Sequence, residues 1–129
     1  MSGLRTPPIP DHAERTLRAY RHLIGPARVA ARRHGYALAV HGSLVRDIDL
    51  VAVPWAFKAS PAAKVAEAIR RAVARACGKA GQLERDDYHK NGSPGWKPHG
   101  RLCWAYHLGG GPYVDLSVMP PERPKSSRR

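Results

Sequence analysis

Residues 36–54, "YALAVHGSLVRDIDLVAVP", hold two apolar runs separated by a short polar break, with aspartates opening the second run. Runs of this length, bounded by Gly-Ser and Pro, predict β-strands at about 36–42 and 47–53. A strand alternates its side chains between two faces, so Asp47 and Asp49 should share one. Two like charges at that spacing are costly to bury unless a cation or a shared proton relieves them. The stretch therefore asks for a sheet and for a partner to its acids.

The remaining pattern supplies the rest of an α+β domain. Residues 1–10, "MSGLRTPPIP", are proline-rich and read as a disordered N-terminal segment, 11–119 as the folded domain, and 120–129 as a basic flexible tail. Asp11 is a helix cap with Glu14 at the capping-box spacing, and Leu17, Tyr20 and Ile24 recur near helical spacing. Gly25-Pro26 is expected to break or restart that helix, and Gly35 to stop it. A second helix over 61–77 has Ser60 as its cap, Pro61 at its first position and Gly78 at its end. Val65, Ile69 and Val73 form its core stripe. Residues 80–100 read as a flexible polar loop. "RLCWAYHL" and "YVDLSVM" then form a hairpin across "GGGP", which lacks the helix and the Lys-Ser/Thr of a phosphate-binding P-loop. The expectation is a mixed sheet of about four strands backed by helices.

Charge narrows the partners. The chain carries 22 Lys and Arg against 10 Asp and Glu, a net charge of +12, which favours polyanions such as nucleic acid or a nucleotide. Lys64, Arg70, Arg71 and Arg75 read as a solvated basic face of the second helix. If Arg70, Arg71 and Arg75 engage nucleic acid together with Arg128 and Arg129, affinity should fall steeply with salt. The two cysteines, Cys77 and Cys103, have no C-x-x-C partner, which excludes a cysteine zinc site. No apolar run approaches the roughly 18 residues of a membrane span, and the N-terminal residues lack a signal-peptide core. A soluble cytoplasmic protein without membrane partners is expected.

The last strand adds a third acid. Tyr113, Asp115 and Ser117 share one face and Val114, Leu116 and Val118 the other. Pairing of the strands into one sheet would set Asp115 beside Asp47 and Asp49. Three carboxylates in a basic domain suit Mg²⁺ or Mn²⁺, which prefer oxygen ligands. Two such ions about 4 Å apart hold both the attacking and the leaving oxygen of a phosphoryl transfer.

At these residues the chain resembles the polymerase-β-like nucleotidyltransferases, whose pattern is a strand ending in Gly-Ser, a second strand with Asp-x-Asp, and a third acid on a later strand. Here those are Gly42-Ser43, Asp47-Ile48-Asp49 and Asp115. The whole also looks like small stand-alone proteins of this type encoded by bacteriophages. The resemblance implies a nucleotidyltransferase-like fold and transfer of a nucleoside monophosphate from an NTP. Asp47 and Asp49 would bind both metals. Asp115 would bind the catalytic ion and help activate the acceptor hydroxyl, and Gly42 and Ser43 would contact the triphosphate. One departure is plain. Only Leu44, Val45 and Arg46 separate Gly-Ser from Asp-x-Asp, where the family has a longer connection that includes the start of a helix. Triphosphate binding would then fall to Ser43, nearby backbone N–H groups and cations such as Arg46.

Lys97, His99 and Arg101 cluster just before the hairpin, either as phosphate ligands or as a solvated loop. His41 and His107 are expected to make local hydrogen bonds rather than bind zinc. Trp104 reads as core and Trp55 as the better candidate to stack on a base. Two functions are compatible with these residues: a metal-dependent nucleotidyltransferase, or a non-catalytic module that keeps the fold and binds nucleic acid or a protein.

Overall fold

The computed structural model describes residues 12–78, 81–82, 95–97, 100–108 and 112–120, with backbone alone at 81–82 and 95–97. The elements run α1 (His12–Arg33), β1 (Tyr36–His41), β2 (Ile48–Pro54), α2 (Ala62–Cys77), β3 (Gly81–Gln82), β4 (Gly95–Lys97), β5 (Arg101–His107) and β6 (Tyr113–Val118). The expected termini, with Asp11, Arg128 and Arg129, lie outside the described residues.

The strands form one mixed sheet in the order β1-β2-β6-β5, with β3 and β4 both paired to the outer edge of β5. β2 and β6 run parallel and the other pairs antiparallel. Alternation then sorts the side chains. Ile48, Leu50, Ala52, Trp104, Tyr106, Val114, Leu116 and Val118 point to one face and join a single core with both helices. From α1 come Leu23, Ala27 and Ala31, and from α2 Val65, Ala66, Ile69 and Val73. Alanines on both helices allow close approach of their backbones. The opposite face carries Asp49, Asp115, Ser117 and Arg101.

Three expectations are corrected. Gly25-Pro26 does not break α1, which continues unbroken to Arg33. Leu23 and Ala27 are both fully buried across this point while Gly25 and Pro26 face solvent, so packing holds the helix where propensity would end it. Ser60 does not cap α2, whose N-cap is Pro61 with no side-chain cap bond. Ser60 Oγ instead meets His34 Nδ1 at 2.9 Å, and its carbonyl accepts from Tyr36 Oη at 2.6 Å, tying the end of α1 to the start of α2. Third, 80–100 is not wholly loop, because β3 and β4 lie within it. Two- and three-residue strands leave no readable alternation.

Gly35 ends α1 as expected, at φ 85°, and a Cβ there would lie 3.0 Å from Ala59 Cα. Gly78 terminates α2 in the left-handed region. Trp104 is core, and Cys103 is buried. Among the described residues no helix is long and apolar enough to cross a membrane.

Pro26 offers a direct test of packing against propensity. A Cβ at Gly25 would meet nothing within 4 Å. Gly25→Ala should raise stability by about 0.5–1 kcal/mol and Pro26→Ala by up to about 3 kcal/mol, through restored helix propensity and one regained backbone bond. Urea midpoints measure both, and unchanged or lower midpoints would show that the helix is strained by its surroundings rather than by these residues.

Candidate functional site

The acids sit on the sheet face turned away from the helices. β2 and β6 pair in parallel with Asp49 and Asp115 in direct register, so the two residues are neighbours about 4.8 Å apart across the ladder. β1 sets His41 opposite Asp49, and β5 sets Ala105 opposite Asp115. A row His41–Asp49–Asp115–Ala105 therefore crosses four strands on one face. Asp49, Asp115, His41, Arg101 and Ser117 line a cleft of about 210 Å³.

Two features of this cleft suit a cation. Asp115 Oδ1 is buried and accepts no hydrogen bond. A desolvated carboxylate oxygen without a donor costs roughly 1–3 kcal/mol or more, so an electropositive partner would be favoured there. At Gly42, φ is 81° and a Cβ would come within 3.0 Å of Asp49 Oδ2. Glycine thus lets the β1 end close on the carboxylate.

Asp47 is placed differently. It lies in the bend before β2, and its Oδ1 accepts from the Tyr113 amide at 3.3 Å. With Asp49, Ser43 and Arg46 it lines a second cleft of about 370 Å³. Among the described residues no group of three or more His, Cys, Asp or Glu is gathered as metal ligands. The cleft supplies a carboxylate pair, with Asp47 beside it and tied to β6.

The connection 42–47 contains no helix, and Leu44 sits at φ 61°. A leucine in the left-handed region costs roughly 1–2 kcal/mol, and here its half-buried side chain packs against the core. The next carbonyl but one, that of Arg46, accepts from His12 Nε2 at 2.8 Å, and the Thr16 hydroxyl, whose shorter bond goes to the His12 carbonyl at 2.8 Å, lies 3.2 Å from it. A carbonyl only accepts, so the His12 proton is on Nε2. These bonds hold the loop backbone, and the Arg46 side chain is exposed.

Of the residues anticipated for the site, Asp49, Asp115 and Arg101 share one cleft, and Ser43, Arg46 and Asp47 share the next with Asp49. Lys97 pairs with Arg101 through the β4 backbone; its side chain and His99 lie outside the described residues. Trp55 follows Pro54, at the opposite end of β2 from Asp49 and roughly 20 Å along the strand, and is 62% exposed. His12, Thr16, Ser117 and Tyr113 were not anticipated as site residues. Thr16 had a signal, a hydroxyl on the apolar stripe of α1, where it is fully buried, and alternation already set Tyr113 and Ser117 on the face of Asp115.

On α2, Glu67 pairs with Arg70 at 2.7 Å and Arg71 at 3.1 Å, so the basic face expected there is partly neutralised. The Arg70 hydrogen bond chiefly holds the Glu67 carboxyl below the ordinary glutamate range. Comparison of the chain with protein-family models, curated proteins and solved structures finds no match in any of the three.

Proposed function

We propose that the chain is a metal-dependent nucleotidyltransferase that moves a nucleoside monophosphate from an NTP to an acceptor hydroxyl. The observation that carries this proposal is the in-register pair Asp49–Asp115 with a buried Asp115 oxygen that accepts no hydrogen bond. The Gly-Ser, Asp-x-Asp and late-Asp order of the polymerase-β-like nucleotidyltransferases supports it from the sequence. Asp49 and Asp115 would hold Mg²⁺ or Mn²⁺, with Asp47 adjoining. A bound ion of this kind neutralises charge on the phosphoryl oxygens.

The chain's own groups would do the rest. Arg101 and Arg46 would bind the triphosphate through charge-assisted bonds, with Ser43 and loop amides. The acceptor oxygen would bond to the α-phosphorus as the bond to pyrophosphate breaks, and Asp115 would receive the hydroxyl proton.

A non-catalytic binding module is the second reading. It draws on Asp47, whose carboxylate holds the Tyr113 amide, and on the helix-free connection 42–47. Incubation with each α-labelled NTP and Mg²⁺ or Mn²⁺ separates the two. Metal-dependent pyrophosphate release, with label passing to protein or RNA, is expected of the enzyme. No release with any NTP, and no shift in melting temperature with either ion, would leave the binding module.

A further inference from the structure

The cleft of the acid pair does not stand alone. The second cleft shares Asp49 with it and carries Arg46 and Asp47. A third, of about 480 Å³, shares Val45, Arg46 and Asp47 with the second and is closed by His12 and Tyr113. A fourth, of about 240 Å³, is lined by Arg15, Arg18 and His22 over an apolar floor of Ala19, Leu108 and Pro112. Arg15 is one helical turn beyond His12, and Pro112 precedes Tyr113, so the fourth cleft is lined by chain neighbours of the residues that close the third. Shared residues join the first three clefts into a groove, and these neighbours carry its path on to the N-terminal half of α1.

We propose that this groove binds a single nucleic-acid strand, with phosphates on Arg15, Arg18 and Arg46 and a base on the Tyr113 ring. That the strand's end lies at Asp49 and Asp115, as acceptor, rests on the nucleotidyl-transfer proposal; the binding itself does not.

Chemistry selects this occupant. α1 carries six arginines against one acid, Glu14, whereas two arginines of α2 are held by Glu67. Guanidinium groups match phosphate oxygens in a two-pronged geometry that ammonium groups lack. The half-exposed Tyr113 ring lies 5.4 Å from the His107 ring, tilted by 48°, which braces it as a stacking platform. Cationic rims that track a backbone, with an aromatic on which bases rest, are the means of single-strand binding. A duplex keeps its bases stacked on each other and offers none to Tyr113. The Arg46 backbone, fixed by His12 and Thr16, joins the loop at the acids to α1.

Fluorescence anisotropy with the full chain and a labelled oligouridylate, single-stranded or annealed to oligoadenylate, tests this. The single strand is expected to bind more tightly than the duplex. Arg15→Ala with Arg18→Ala should weaken single-strand binding about tenfold and flatten the salt slope by about 1.4, the share of two phosphates. Tyr113→Ala should weaken binding with the salt slope unchanged, and Tyr113→Phe should restore it. Arg70→Ala with Arg71→Ala should bind as the parent does. Wild-type affinity in the Arg15/Arg18 variant, with folding verified by circular dichroism, would overturn the proposal, as would equal affinity for the duplex. Asp49→Asn separates the two proposals. Strand binding that persists in it while the parent shows no melting shift with Mn²⁺ defeats nucleotidyl transfer alone. A Mn²⁺ shift in the parent beside wild-type strand binding by the Arg15/Arg18 variant defeats the groove alone.

Discussion

Replacing Asp49 or Asp115 with Asn is expected to lower the proposed nucleotidyl transfer by about 10³-fold or more while producing a protein that melts higher than the parent in the absence of divalent ions. Both effects come from the register of β2 and β6. Two carboxylates stand side by side, and Asp115 Oδ1 is buried without a donor. An amide at either position removes one of two like charges from a half-buried pair. A gain of about 1 kcal/mol follows from the removed like-charge repulsion. The activity loss corresponds to about 4 kcal/mol of transition-state stabilisation, within what a divalent ion contributes to a phosphoryl centre. Saturating Mn²⁺ should reverse the order of stability, since mass action raises only the parent. Thermal melts with and without Mn²⁺, beside pyrophosphate release, measure this. An Asp115→Asn protein that melts lower than the parent, and still rises with Mn²⁺, would take the metal away from this pair.

The largest effect on stability is expected at Tyr106, near the end of β5. Its ring is fully buried against α2, and its hydroxyl donates to the Ala66 carbonyl at 2.8 Å. Burial pushes its phenol well above the ordinary tyrosine value, so the donor stays protonated throughout the working pH range. Tyr106→Ala should cost about 3–5 kcal/mol, a large share of the roughly 5–15 kcal/mol that holds a domain of this size. Tyr106→Phe keeps the volume and removes one hydrogen bond, and should cost about 1 kcal/mol. Urea denaturation of both variants separates the terms. A Phe variant as unstable as the Ala variant would mean that the Ala66 bond, not the filled volume, fastens α2 to the sheet.

Strand and helix positions were legible because their causes are local. Alternation in 36–42, 47–53 and 113–119 marked the strands, the Val65–Ile69–Val73 stripe marked α2, and Gly35 and Gly78 marked helix ends by the φ that only glycine adopts cheaply. The same alternation sorted Asp115 from Val114 and Leu116 before any partner strand was known. Pro26 was misread for the converse reason. Its local penalty is real, yet the buried residues on either side of it pack against a helix more than thirty residues away in the chain. Ser60 had the composition of a cap, but His34 and Tyr36 lie close enough in space to claim it.

The acid constellation shows where local pattern ends. Strand alternation put Asp47 and Asp49 on one face only if both belonged to the strand. β2 begins at Ile48, so Asp47 is released from the pleat and turns to the Tyr113 amide. Asp49 meets Asp115 because β2 and β6, separated by α2 and three other strands in the chain, pair in parallel in this register. Neither strand taken alone sets that register. It follows from burying Ile48, Leu50, Val114 and Leu116 against both helices at once, since a slip of one residue would turn the apolar set outward and the acids into the core.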